Sequence, residues 1–364
     1  MTKRLITLVV GARPNFMKVA PIIRELDRLS NIFSYRLIHT GQHSNKEMSE
    51  VFLDELGIPK PDVYLNGYGE TQSEQTSTIM VSFEQECIKL RPDIVLVVGD
   101  INSSLACAIV AKKMHIELVH VEAGLRSGDR EMPEEINRIL IDSISDKFFV
   151  TEPSGRKNLI NEGHSKDKIH YVGNVMIDNL FYQNEKLNSA IKVNFTTSRL
   201  KNELKSYAIV TLHRPFNVDN VDIFKGIVDS LNQISISLPI IFPVHPRTRK
   251  SIDKFKIKFN DNIFLTKPLS YLEFLNLWKD SHMVITDSGG LQEETTALGI
   301  RCITIRNNTE RPITVEKGTN ILAGIASNDI LRAFNKANEK KVVKTNKIEL
   351  WDGKAALRII DNLL

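Results

Sequence analysis

The sequence predicts an α/β protein made of two doubly wound, Rossmann-like domains facing a cleft. Apolar, β-branched runs at 5–10, 35–39, 94–98, 117–121, 147–150 and 169–172 alternate with longer helix-like stretches, the rhythm of a parallel sheet covered by helices on both faces. After a polar, weakly patterned region at 184–206 the rhythm restarts at 208–212, 239–244, 263–265, 282–286 and 302–305, with helical stretches such as 220–234 and 271–280. The chain of 364 residues is long for one domain and comfortable for two of about 150–200 residues each. The expected domains are therefore 1–185 and 186–350. Doubly wound sheets bind ligands beyond the carboxyl ends of their strands, so the site is sought there.

Composition narrows the class of function. With 42% hydrophobic and 25% charged residues the chain is neither disordered nor fibrous. The net charge of +4 is spread along the sequence, apart from Lys-rich patches near 247–258 and 336–347. That distribution points to a small anionic ligand and away from nucleic acid. Cys87, Cys107 and Cys302 stand singly in apolar surroundings, as buried thiols do in a reducing compartment, and form neither disulfide nor zinc spacing. The apolar start stops at Gly11-Ala12-Arg13-Pro14 and reads as a first strand. No later run reaches the roughly 18 apolar residues of a membrane span, so a cytoplasmic location without membrane partner is expected. The first loop lacks both G-x-G-x-x-G and a P-loop ending, so neither NAD nor ATP is supported.

The candidate site is read from the residues that end the strands. The run ending at Thr286 feeds Asp287-Ser288-Gly289-Gly290 and then a helical segment. Ser288, Gly289 and Gly290 would present backbone N–H groups at a helix N-terminus with no bulky side chain over them, a seat for phosphate. Glu294, about one turn further in, comes within reach of a ribose hydroxyl; taken alone, the stretch reads equally as an ordinary Ser/Gly helix cap. Arg13 and Lys18 are two cations directed at the cleft, or else a solvated helix start. Asp100 and Glu122 stand at the tips of the strands 94–98 and 117–121, where a carboxylate can also merely cap the next helix. Glu134 and Glu135 follow Pro133, which suits a first helical turn, and point about 100° apart, so one of them faces the cleft. His213 closes the strand 208–212 with an imidazole opposite the three carboxylates, although a lone histidine is more often structural. His245, between Pro243 and Pro246, shapes a loop or meets a phosphate. Arg311, in Thr309-Glu310-Arg311-Pro312, offers a guanidinium suited to a diphosphate.

Taken in order, 11–18, 98–100, 120–127, 133–138, 211–214, 287–294 and 309–312 resemble the motifs of the non-hydrolysing UDP-N-acetylglucosamine 2-epimerases, and the resemblance covers nearly the whole chain. It implies the GT-B type of fold. It also implies a C-terminal helix over 351–364 that returns to the first domain on a stripe of Ala356, Leu357, Ile360 and Leu363. Carried over by residue, Arg13, Lys18, Ser288, Gly289, Gly290, Glu294 and Arg311 bind the nucleotide diphosphate. Phe274 lines the nucleotide site, His245 joins the substrate-binding residues, and Asp100, Glu122, Glu134 and His213 are catalytic. The implied partners are a UDP-sugar and a second copy of the chain. Leu269 and Pro215 depart from relatives that carry Gln and a charged residue there. Thr78 stands where relatives tend to place Arg, near Gln42-His43, so activation by a second nucleotide sugar is expected to be weak or absent.

The chemistry fits these residue types. The C2 hydrogen of an N-acetylhexosamine is not acidic, and departure of UDP from C1 supplies the missing activation. A carboxylate takes the C2 proton as the C1–O bond breaks, leaving a 2-acetamidoglucal; re-addition with a proton to the opposite face gives the manno epimer. Such a reaction needs cations and helix-end N–H groups on the leaving diphosphate and acid/base groups on both faces of one carbon, but no metal or redox cofactor. A hydrolysing epimerase and a GT-B UDP-sugar glycosyltransferase are the alternatives.

Overall fold

Apolar runs without alternation make strands covered on both faces, and this chain builds two parallel sheets from them. The computed structural model describes residues 3–42, 52–189, 195–339 and 348–364. The first sheet contains β1 (Arg4–Val10), β2 (Phe33–His39), β3 (Val63–Tyr64), β4 (Ile94–Val98), β5 (Glu117–Val121), β6 (Lys147–Val150) and β7 (Ile169–Tyr171), in the order β3-β2-β1-β4-β5-β6-β7. The second contains β8 (Ala208–Thr211), β9 (Ile240–Pro243), β10 (Ile263–Thr266), β11 (Met283–Thr286), β12 (Arg301–Thr304) and β13 (Asn320–Leu322), in the order β10-β9-β8-β11-β12-β13. Every residue of β4 and of β11 is buried, as a central strand requires. The sheets belong to separate units, Met1–Tyr182 with Glu349–Leu364, and Gln183–Ile348.

Both sheets are wound the same way. The chain steps outward from β1 through β2 to β3 and returns to the other side of β1 as β4; in the second sheet it steps from β8 to β10 and returns beside β8 as β11. Loops leaving β1 and β4 diverge, as do those leaving β8 and β11, which opens a crevice at the carboxyl ends within each unit. Proline in the first turn starts the helices Arg13–Arg28, Pro133–Ile144, Pro153–Asn161, Pro215–Val218, Pro246–Phe255 and Pro312–Glu316, where its missing N–H costs nothing.

All the expected strands form, with ends moved by a residue or two. β3 and β13 were not expected; at 2 and 3 residues they are too short to show a pattern. The helix Val175–Ser189 runs into the polar stretch 184–206, and Ser198–Glu203 is helical as well. Part of the Lys-rich patch, 340–347, lies outside the described residues. The C-terminal helix is shorter than expected, Ala355–Asp361. It packs on Arg13–Arg28 with Ala355, Ala356, Ile359, Ile360 and Leu363 buried, whereas Leu357, expected in the stripe, is 41% exposed. The three cysteines are buried and free. Among the described residues no helix is long and apolar enough to cross a membrane.

Candidate active site

In the first unit the groups collect around the loop that leaves β4. Asn15, in the first turn of Arg13–Arg28, accepts from the Ala12 N–H at 3.0 Å and donates to the Val98 carbonyl at 2.9 Å, tying the ends of β1 and β4 together. The same helix carries Lys18, whose Nζ lies 2.6 Å from Glu122 Oε2, and both side chains are buried. Gly99, in the left-handed region at φ +63°, makes room for the ammonium: a Cβ there would stand 2.7 Å from Lys18 Nζ. Glu122 itself takes φ +71°, a conformation unusual for a residue with a side chain, at the tip of β5. Asp100 is held by Arg138, with Nε at 2.9 Å and a terminal nitrogen at 2.7 Å from Oδ2. Arg138 also meets Glu135 at 2.7 Å, and Glu135 accepts the N–H groups of Ser127 and Gly128 at 2.9 Å each. Burial would push Glu135 up, but those two N–H groups and Arg138 outweigh it and hold its carboxyl below the usual range.

Glu135 is therefore the inward, structural member of its pair, and Glu134 is exposed. Glu134 borders a cavity of about 290 Å³ together with Gln42, Gln72, Asn102 and Asn137. Arg13 is exposed and stacks its guanidinium on Phe52 at 4.7 Å; burial of part of that side chain lowers its pKa. Lys18, expected on the diphosphate, is paired with Glu122 in this structure. His43 lies outside the described residues.

In the second unit the groups gather where β8 and β11 diverge. Asp287, fully buried, accepts from the backbone N–H groups of His213 at 3.0 Å and Arg214 at 2.9 Å and from Asn217 Nδ2 at 3.2 Å. Its Oδ1 lies 2.8 Å from His213 Nδ1. Burial pushes Asp287 up, yet the bond to His213 and the backbone N–H groups prevail, so its carboxyl stays below the usual range. The His213 ring is 42% exposed and 5.9 Å from the ring of His245. His245 is the N-cap of Pro246–Phe255 and accepts from Arg247 N–H at 3.2 Å, the loop-shaping role.

Ser288 occupies the N-cap position of the helix Gly289–Leu298 without a side-chain capping bond, so Ser288, Gly289 and Gly290 do stand at a helix N-terminus after β11. A Cβ on Gly289 would meet Arg311 and Glu310 at 2.9 Å each, so glycine allows the guanidinium to close on the helix start. Arg311 is buried between Glu293, at 2.9 Å from Nε, and Glu310, at 2.6 Å. Glu310 also meets Arg306 at 2.8 Å and Arg214 at 3.9 Å. Arg214, Arg306 and Arg311 gather about Glu293 and Glu310 beside the start of this helix, where backbone N–H groups favour an anion. Glu294 is buried, accepts from Tyr271 O–H at 2.8 Å, and is pushed up to about 7, chiefly by burial and further by Glu293. Phe274 is half-buried on Tyr271–Trp278, the helix that supplies Tyr271. Among the described residues no cluster of His, Cys, Asp and Glu could hold a metal ion.

Sequence reasoning missed the partners: Asp287, Glu293, Glu310, Arg306, Tyr271 and Arg138. Asp287 and Glu310 stand inside the motifs that drew attention, so a carboxylate next to each named group was the available signal.

Carboxylates at strand tips in one Rossmann-like unit, and in the other a glycine-lined helix start backed by guanidiniums, define a class: sugar-nucleotide enzymes of the GT-B type. The family model described as UDP-N-acetylglucosamine 2-epimerase matches residues 24–364. The UDP-N-acetylglucosamine 2-epimerase of Methanocaldococcus jannaschii is 41% identical, the match covering 98% of this chain and 97% of that protein. The UDP-2,3-diacetamido-2,3-dideoxy-D-glucuronate 2-epimerase of Pseudomonas aeruginosa is 38% identical over 98% of this chain and 99% of its own length. A crystal structure of the M. jannaschii enzyme in complex with UDP-GlcNAc and UDP superposes with a TM-score of 0.89 at 40% identity, covering 99% of each chain. The chain belongs to the UDP-N-acetylglucosamine 2-epimerase family.

Proposed function

We propose that the protein is a non-hydrolysing C2 epimerase. It interconverts UDP-N-acetylglucosamine and UDP-N-acetylmannosamine, or a closely related UDP-2-acetamido sugar, by elimination and re-addition of UDP. The observation that carries this is the buried Lys18–Glu122 pair at the tip of β5, beside the loop of Asp100 and the helix of Glu134. Carboxylates from three segments at one sheet end can remove a proton from one face of C2 and return one to the other. Ser288, Gly289, Gly290, Arg13 and Arg311 receive the leaving diphosphate, Glu294 takes a ribose hydroxyl, and Phe274 lines the nucleotide site. His213, oriented by Asp287, is the remaining acid/base group, with His245 at its side. Lys18 acts on Glu122.

The names of the two relatives differ in the sugar, so both UDP-N-acetylglucosamine and the diacetamido-glucuronate are the substrates to assay. Incubation of the purified protein with each, followed by NMR, should give the 2-epimeric UDP-sugar with no net release of UDP and no acceptor. Stoichiometric UDP together with free N-acetylmannosamine would establish the hydrolysing reaction instead. A requirement for an acceptor would establish glycosyl transfer.

We also propose that the chain works in the cytoplasm as a homodimer. The free buried thiols support a reducing compartment. The helices Gln72–Lys89 and Pro133–Ile144 flank Asn102–Lys113 and present Val81 and Ile88, and Ile136 and Leu140, at 44–63% exposure, an apolar face suited to a second copy. Light scattering should give twice the chain mass, and Ile88→Glu with Ile136→Glu should give the monomer.

A further inference from the structure

The helix Pro133–Ile144 carries Glu134 and is fastened near its start through Arg138 to Asp100 and through Glu135 to the loop 127–128. Near its end Asp142 meets His120, with Nδ1 and Oδ1 2.6 Å apart and both side chains fully buried. The other ring nitrogen of His120, Nε2, lies 3.0 Å from the carbonyl oxygen of Gly99. A carbonyl oxygen can only accept, so Nε2 carries a hydrogen. Nδ1 faces a carboxylate at the short distance of a charge-assisted bond, which calls for a second hydrogen there. The other oxygen of Asp142 accepts from Gly124 N–H at 3.0 Å and meets Arg126 at 2.7 Å. Burial pushes Asp142 up, but His120 and Arg126 outweigh it and keep the carboxyl below its usual range.

We propose that His120 is a positioning residue, an imidazolium clamped by Asp142 that fixes the Gly99 carbonyl and with it the relative places of Asp100, Glu122 and Glu134. Asp100 and Glu122 lie one and two residues from the clamp, and Glu134 is joined to it through its helix. Gly99 precedes Asp100; His120 is two residues before Glu122; Asp142 shares a helix with Glu134. Glu122 holds positive φ, a conformation that in a residue with a side chain persists only when its surroundings fix it. A buried ion pair adds little net stability over apolar side chains of the same size. Its effect here is to admit a single arrangement of the β4 and β5 tips. Among the described residues the ring of His120 bonds to Asp142 and to the Gly99 carbonyl, so it acts on the rate of proton transfer and leaves nucleotide binding alone.

The clamp rests on the epimerase reading only for the role of the three carboxylates; the hydrogen count at His120 is independent of it. NMR on the unaltered chain labelled with ¹⁵N-histidine measures that count. The His120 ring, assigned by the signals lost in His120→Gln, should show hydrogen on both nitrogens, and hydrogen on only one nitrogen of that ring would overturn the proposal whatever the reaction. For the positioning role, His120→Gln is expected to lower kcat on the order of 10²-fold, the cost of a misplacement of about 1 Å. KM and the UDP affinity should stay within about twofold, because the binding groups are untouched. Unchanged kcat, or UDP affinity falling in step with kcat, would overturn that role. Asp142→Asn gives the same readouts if His120→Gln does not fold.

Discussion

His213 points Nδ1 at Asp287, so in the proposed reaction the hydrogen on that nitrogen is already committed and Nε2 is the nitrogen that would exchange protons with the sugar. In Asp287→Asn the amide can offer a hydrogen where the carboxylate could only accept, which favours the wrong tautomer. We expect kcat to fall between about 10² and 10⁴-fold, the scale of general acid–base catalysis, with a far smaller change in UDP affinity; initial rates and calorimetry measure the two. Glu294 gives a stability prediction. Its folded pKa of about 7 exceeds its ordinary value of 4.5, so its contribution to stability is full below the ordinary value and is lost as pH rises through about 7. Glu294→Gln should therefore raise the Tm of the ligand-free protein at pH 8 and leave it nearly unchanged at pH 4.5, while weakening UDP binding. A Tm at pH 8 equal to or below that of the unaltered chain would contradict it. The strand-tip groups were legible in the sequence because a strand's end fixes where a side chain stands. Their partners were not: His213 and Asp287 are 74 positions apart, and only the winding of the second sheet brings them together.

At the scale of elements, the Arg311 guanidinium closes on the start of Gly289–Leu298 through the gap that Gly289 leaves, and the two together are the proposed seat of the diphosphate. Arg311→Ala should weaken UDP binding by about 1–3 kcal/mol, the range of a charge-assisted contact. It should also lower Tm, because Glu293 and Glu310 would lose the cation that lies against both. Unchanged UDP affinity in calorimetry would remove Arg311 from the seat. Central strands could be read directly, since uninterrupted apolar runs such as Ile94–Val98 have no other stable use in a covered sheet. Edge strands β3 and β13 could not, because pairing with β2 and β12 rather than local pattern makes them strands. The C-terminal helix shows the same limit: an apolar stripe of helical period suggested Leu357, but the contact with Arg13–Arg28 selects Ile359.

At the scale of the whole molecule, the first unit is completed by the last residues of the chain. Trp351 donates from Nε1 to the Thr151 carbonyl at 2.9 Å, and Asp178 caps the final helix by accepting from Ala355 and Ala356 at 3.1 and 2.7 Å. Trp351, Ile359, Ile360 and Leu363 are buried, and each large apolar side chain contributes about 1.5–3 kcal/mol, together comparable to the 5–15 kcal/mol that holds a typical domain. Deleting 349–364 should therefore unfold the first unit, seen as loss of amide protection across β1 and Arg13–Arg28; full protection without those residues would refute the dependence. The central claim is that C2 loses and regains its proton while UDP departs from and returns to C1. Its most direct test is incubation of the purified protein with UDP-N-acetylglucosamine in deuterium oxide, without added NAD or metal, followed by NMR of both epimers. The product and the recovered substrate should each carry deuterium at C2, whereas an epimer formed with its C2 hydrogen fully retained would contradict the account.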